Sequence, residues 1–97
     1  MTNPARGDIA LTIGGRTARL CLTLGALAEL EAAFDCDGLE ALGGRLSRMS
    51  AADLDTVIRA LLRGGGESEL ASQDAPLAVK PAEAARAAVA AIRAGFA

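Results

Sequence analysis

The spacing of apolar positions changes period along the chain. Ile9, Leu11 and Ile13 alternate with Ala10 and Thr12, the period-two pattern of a strand with one buried face. Gly14-Gly15 follows, and such a pair turns tightly because glycine reaches positive φ without steric cost. The return run, Arg16 to Leu22, puts Ala18, Leu20 and Leu22 on the inner face and Thr17, Arg19 and Cys21 on the other. Residues 7–22 therefore predict a β-hairpin. A lone hairpin is marginally stable in water, so its apolar face needs a partner from the rest of the chain.

From Thr23 onward the period lengthens to that of helices. Thr23 suits an N-cap, and Leu24, Leu27, Leu30 and Phe34 form one stripe over a first helix from Leu24 to Phe34. Asp35-Cys36-Asp37-Gly38 reads as its stop, with glycine at a left-handed position. A short second helix, Leu39 to Arg48, carries Leu39, Leu42, Leu46 and Met49 on one side. Gly43-Gly44 weakens its middle by about 1 kcal/mol per glycine. Ser50-Ala51-Ala52-Asp53 resembles a capping box. The third helix behind it has Leu54, Val57, Ile58, Leu61 and Leu62 in unbroken i, i+3, i+4, i+7, i+8 order, with Gly64 as its stop. Residues 64–80 read as a flexible connector with one helical turn near Glu69 to Gln73. Pro81 suits the first position of a final helix over 81–96, with Ala85, Ala88, Val89, Ile92 and Phe96 facing inward.

These elements predict an α+β protein: an N-terminal β-hairpin packed on three to four helices, in a single small domain over residues 1–97 with a helical core at 24–63. The hairpin face of Ile9, Leu11, Ile13, Leu20 and Leu22 is expected against the first and third helices, since each element has one apolar face to cover.

Composition narrows the functional classes. Apolar residues make up 52% of the 97, so the chain can build a core. Much of that fraction is alanine, which fills little volume. The net charge is −2, with neither Trp nor Tyr and only two Phe, Phe34 and Phe96. Nucleic-acid binding needs a positive footprint or stacking rings, so no nucleic-acid partner is expected. No apolar run approaches the ~20 residues of a membrane span. Residues 1–9 show no apolar signal core. A cytoplasmic protein with reduced thiols at Cys21 and Cys36 is the expectation.

The residues needed for common chemistries are missing or misplaced. There is no histidine, which removes the usual Ser-His-Asp and Cys-His nucleophile systems and most zinc sites. Cys21 and Cys36 are too far apart for a CxxC motif. Asp35-Cys36-Asp37-Gly38 starts like a calcium loop, but Leu39, Ala41 and Leu42 follow where ligands should stand. Gly64-Gly65-Gly66 is followed by Glu67-Ser68, whereas a phosphate loop needs Lys and Ser or Thr. Glu29 and Glu31 are two apart on a helix and diverge. No enzyme activity and no cofactor are expected, and a binding or assembly role fits better.

The segment Arg6-Gly7-Asp8-Ile9-Ala10-Leu11-Thr12-Ile13 and the run from Leu20 to Glu31 resemble the tail-protein family of gene transfer agents, the phage-like particles of alphaproteobacteria that package host DNA. Met49-Ser50-Ala51-Ala52-Asp53-Leu54 and Leu61-Leu62-Arg63-Gly64-Gly65-Gly66 extend that resemblance, which covers Arg6 to Gly66. It implies a part in tail morphogenesis and no catalytic residues. Two roles are open. One is a tail assembly chaperone that coats the tape measure protein; the other is a structural tail tube component. Two strands are few for a ring-forming tube subunit, so the chaperone is preferred. Its partners would be the tape measure and other tail proteins, with self-association a further expectation. The candidate contact surface is whatever the core leaves uncovered of Leu39, Leu42, Leu46 and Met49, together with Val89, Ile92 and Phe96. The second-helix side ranks first, because Gly43-Gly44 makes it easiest to reshape.

Overall fold

A computed structural model describes residues 7–96, except the side chain of Leu39. β1 (Ile9–Ile13) and β2 (Arg16–Leu20) form a two-stranded antiparallel sheet. The register pairs Ile13 with Arg16 and Ile9 with Leu20, so Gly14-Gly15 is a two-residue turn. Their φ values of 60° and 80° are those that such a turn demands and that glycine supplies without strain. The expected inner face is buried: Leu11, Ile13, Ala18, Leu20 and Leu22 all lie in the core.

Five helices follow among the described residues: α1 (Leu24–Ala33), α2 (Leu39–Leu46), α3 (Ala51–Gly64), the single turn α4 (Ser68–Ala71) and α5 (Pro81–Gly95). The fold is α+β, as the periodicities predict. α3 is the central element. It touches α1, α4, α5 and β2 and buries Val57, Ile58, Ala60, Leu61 and Leu62 almost completely. Ser50 starts it as a full capping box, accepting from the Asp53 amide while the Asp53 carboxylate accepts from the Ser50 amide. Two backbone donors at the helix start are satisfied in this way.

The hairpin does not lie on α1 and α3 as expected. It packs on α3 and α5, with α5 mainly under β1, and α1 instead packs on α3. In α1 most of the expected stripe faces inward: Leu30 is buried beside Ala26, Leu27 and Phe34 are partly buried against the core, and Leu24 alone is 85% exposed. In α5 the core face is Ala84, Ala87, Ala88 and Ala91. Of the expected inward residues, Ala88 is buried and Ile92 is partly buried against the core, but Ala85, Val89 and Phe96 lie about 100° round the helix from the centre of that face. An alanine face lets helix and neighbour approach closely, and close packing of many small contacts outweighs burying a few larger side chains at greater distance.

The stop of α1 also differs from expectation. Asp35, with φ 51°, is the left-handed residue after the helix, while Gly38 precedes α2. Asparagine and aspartate tolerate this region better than other residues with a Cβ.

Gly64 and Gly65 serve close contact rather than looseness. A Cβ on Gly64 would stand 2.1 Å from the Cys21 carbonyl oxygen, and one on Gly65 would stand 2.2 Å from that of Arg19. The end of α3 thus lies flush against the chain leaving β2, where the Cys21 amide donates to the Leu61 carbonyl at 3.0 Å. Cys21 is buried there, although strand alternation places it on the outer face. The segment after α4 is held by one side chain. Arg59 donates to the carbonyls of Ala71 (3.0 Å), Gln73 (2.6 Å) and Ala75 (3.2 Å) while its Nε donates to Asp55 (2.9 Å). A planar guanidinium with five donors suits this fan of acceptors.

Candidate partner-binding surface

An uncovered apolar surface begins where α2, α3 and α5 meet. Leu46 and Met49 come from the end of α2 and the turn after it. Leu54 comes from the first turns of α3, and Pro81 and Ala85 from the start of α5. Together they surround an open hollow of about 470 Å³. A second hollow of about 560 Å³ lies beside it, lined by Leu54, Ile58, Leu77, Val79 and Pro81. Ala51, Leu54 and Pro81 line both, so the two form one trough across the starts of α3 and α5. Ala85 also borders a shallow surface with Val89, Ala90 and Arg93. The trough therefore runs on to the outer flank of α5.

Electrostatics fix the walls. Arg45 Nη1 stands 2.7 Å from Asp53 Oδ2, and its guanidinium lies over the Phe34 ring, 5.0 Å from the centroid. One side chain thus joins α2 to α3 and to the end of α1. The Arg45 hydrogen bond, helped by the Ser50 amide, lowers the Asp53 carboxyl below its ordinary value of 3.8. At the opposite end of α3, Glu29 and Arg63 form a bidentate pair between α1 and α3, and that hydrogen bond raises the Arg63 pKa. The far wall is the Leu77–Val79 stretch, whose carbonyl-rich approach Arg59 holds.

The candidate residues divide into three groups. Leu42 is 4% exposed and belongs to the core, so it offers nothing to a partner. Leu42 is the side chain by which α2 enters the core, with Leu46 partly buried against it. Leu39 lies outside the described side chains. Leu46 and Met49 are half-buried and line the trough. Val89 (43% exposed), the half-buried Ile92 and Phe96 (51% exposed) fall with Ala85 on one stripe of α5. The structure thus brings Leu46 and Met49 to one end of that stripe, at Ala85, although more than thirty residues separate them in sequence. Leu54, Leu77 and Val79 are lining residues the sequence reading missed. The alternating Leu77 and Val79 between Pro76 and Pro81 were the available signal.

Among the described residues no group of three or more Cys, Asp or Glu side chains is placed to hold a metal ion. None of the described helices is long and apolar enough to cross a membrane.

Comparison with known proteins gives one family. No similar curated protein and no similar solved structure was found. The family described as "Phage tail tube protein, GTA-gp10" matches residues 6–97. The match runs past Gly66, beyond which the resemblance read from the sequence is weak, and takes in the connector and α5. With nearly the whole chain matched, from the hairpin through the alanine-faced last helix, the protein belongs to the GTA-gp10 family of phage tail tube proteins.

Proposed function

We propose that this tail protein acts during assembly, covering apolar helical segments of a tape measure protein until tube subunits replace it. The observation that carries the reading is the continuous apolar surface from Leu46 and Met49 through Ala85 to Val89 and Phe96. From Ala85 to Phe96 the stripe is about 16 Å long at helical rise, a length suited to three turns of a client helix laid beside it. A tail-length ruler exposes apolar faces before its tube exists, and such faces aggregate unless covered. Removable cover calls for weak contacts repeated over many copies. A net charge of −2 helps keep a coated client in solution.

A second reading, a structural component of the tail, is favoured by the family's description as a tail tube protein. Co-expression with the tape measure protein of the same particle separates the two. Under the chaperone reading, the tape measure gains soluble yield and co-purifies with this chain. Val89→Asp and Met49→Asp then reduce both effects without unfolding the protein. A tape measure equally soluble alone, with this chain found in finished particles, would establish the structural reading instead.

A further inference from the structure

The two edges of the sheet are unlike. In a hairpin closed by a two-residue turn, the pair flanking the turn is hydrogen-bonded, and such pairs alternate with non-hydrogen-bonded ones. The amides and carbonyls of Ile9, Leu11 and Ile13 therefore face β2, and those of Ala10 and Thr12 face away. On β2 the outward groups of Arg19 are covered, whereas no hydrogen bond reaches those of Thr17 among the described residues. The Arg19 amide donates to Glu67 Oε2 at 2.9 Å, Arg16 reaches Glu67 Oε1 at 3.1 Å, and Gly65 closes over the Arg19 carbonyl. On β1 no hydrogen bond beyond those of the hairpin reaches Ala10 or Thr12 among the described residues. Both residues are exposed. They are small and uncharged, without the lysine, proline or bulge that normally protects an edge.

We propose that β1 is the pairing edge of a two-fold symmetric dimer of this chain, with β1 and its copy antiparallel about Leu11 in one four-stranded sheet. Three features select a second copy as the occupant. First, placing the axis at Leu11 sets Ala10 opposite the partner's Thr12, and both residues have their free groups on that side. Four new hydrogen bonds result, two on each side of the axis.

Second, the charges beside the edge are self-complementary. A crevice along β1 is lined by Ala10, Thr12, Glu83 and Arg86. α5 runs antiparallel to β1: its start lies by the Gly14-Gly15 turn and Gly95 lies hard against Leu22. Glu83 therefore sits toward Thr12 and Arg86 toward Ala10. The same two-fold axis brings Glu83 to the partner's Arg86, twice. Both are exposed, and neither has an ion pair among the described residues.

Third, the helices have room. α5 touches β2 as well as β1, so its axis lies inboard of the edge. With strands about 4.8 Å apart, an α5 axis set about half a strand spacing inboard of β1 places the two axes about 10 Å apart, an ordinary helix-packing distance. The Glu83 and Arg86 side is about 120° round α5 from the Val89 stripe, so this pairing stands whether or not a client binds there.

The test uses the full chain and reads mass by sedimentation or light scattering over increasing concentration. The wild type should move from one chain to two. Thr12→Pro removes a donor that the hairpin does not use, along with two of the four new hydrogen bonds, and should stay monomeric at the same concentrations. Glu83→Arg places two cations beside the edge, and Arg86→Glu two anions. Each variant alone should be monomeric with an unchanged circular dichroism spectrum, and an equimolar mixture of the two should recover the dimer. A wild type that stays monomeric to its solubility limit would overturn the proposal. So would a dimer untouched by these variants, and separately monomeric charge variants that fail to pair on mixing would overturn the register about Leu11.

Discussion

Gly64→Ala tests the contact on which the sheet and the central helix depend. In the middle of most helices this change is favourable, by up to about 1 kcal/mol of helix propensity. Here the new methyl would stand 2.1 Å from the Cys21 carbonyl oxygen and 3.2 Å from its carbon. Ordinary contact begins near 3.5 Å, so α3 and the chain after β2 must separate by about 1.4 Å. The obstacle is backbone on both sides, so no side chain can rotate away. Separation stretches the 3.0 Å bond from the Cys21 amide to Leu61, worth about 0.5–1.5 kcal/mol. It also loosens Leu61 and Leu62, which are fully buried against the sheet, and overpacking of this kind costs about 1–3 kcal/mol. Subtracting the propensity gain leaves a net loss of about 0.5–3.5 kcal/mol, centred near 2. For a domain of this size the central value is roughly an 8–16 °C fall in melting temperature. The control is Gly43→Ala or Gly44→Ala in α2, where a Cβ meets open space and stability should rise by about 0.5–1 kcal/mol. With no Trp or Tyr in the chain, unfolding is best followed by far-ultraviolet circular dichroism in urea. A Gly64→Ala midpoint equal to or above wild type would refute the close-contact reasoning.

Leu61→Ala should cost about 2–5 kcal/mol by emptying a fully buried site, whereas Leu24→Ala, at an 85% exposed position, should stay within about 0.5 kcal/mol of wild type in the same urea titration. Arg59→Ala should lower stability by about 2–3 kcal/mol and raise amide hydrogen exchange across 71–79. Arg59→Lys should restore little of it, because an ammonium cannot reach three carbonyls and Asp55 together. Acid should loosen the α2–α3 corner. The folded carboxyl of Asp53 is held below 3.8, so its contribution is complete above the unfolded value and is lost as pH falls through the folded one. Thermal melts from pH 5 to pH 2 should show this loss, and Asp53→Asn should flatten the profile in that window.

The elements themselves were legible in the sequence because each carries a short-range signature. Alternation marked β1 and β2, the glycine pair marked their turn, and Ser50 with Asp53 marked the start of α3. Proline at the first position marked α5. These depend on dihedral preferences and nearest-neighbour hydrogen bonds, which a few consecutive residues determine. Leu46, Met49 and Val89 could be named as contact candidates because large apolar residues on a weak or terminal helix are hard to bury. Leu42 could not be told apart from them, since it shares their spacing and only its depth differs.

Which faces meet was a tertiary decision. The sequence ranked inward faces by the bulk of their side chains, and on α5 the alanines won instead. Burial there depends on how closely two backbones can approach, a property of both partners together. The same holds for Gly64 and Gly65, which look like a loose connector one residue at a time and become a flush contact only when β2 lies beside them. It holds again for Arg59, whose three carbonyl acceptors lie 12 to 16 residues away. Chain order alone determined that this protein has a hairpin, a capped central helix and an acidic, histidine-free surface. Three-dimensional packing decided that α5 rather than α1 supports the hairpin. That choice leaves Val89 and Phe96 facing outward and Glu83 and Arg86 beside an open strand edge.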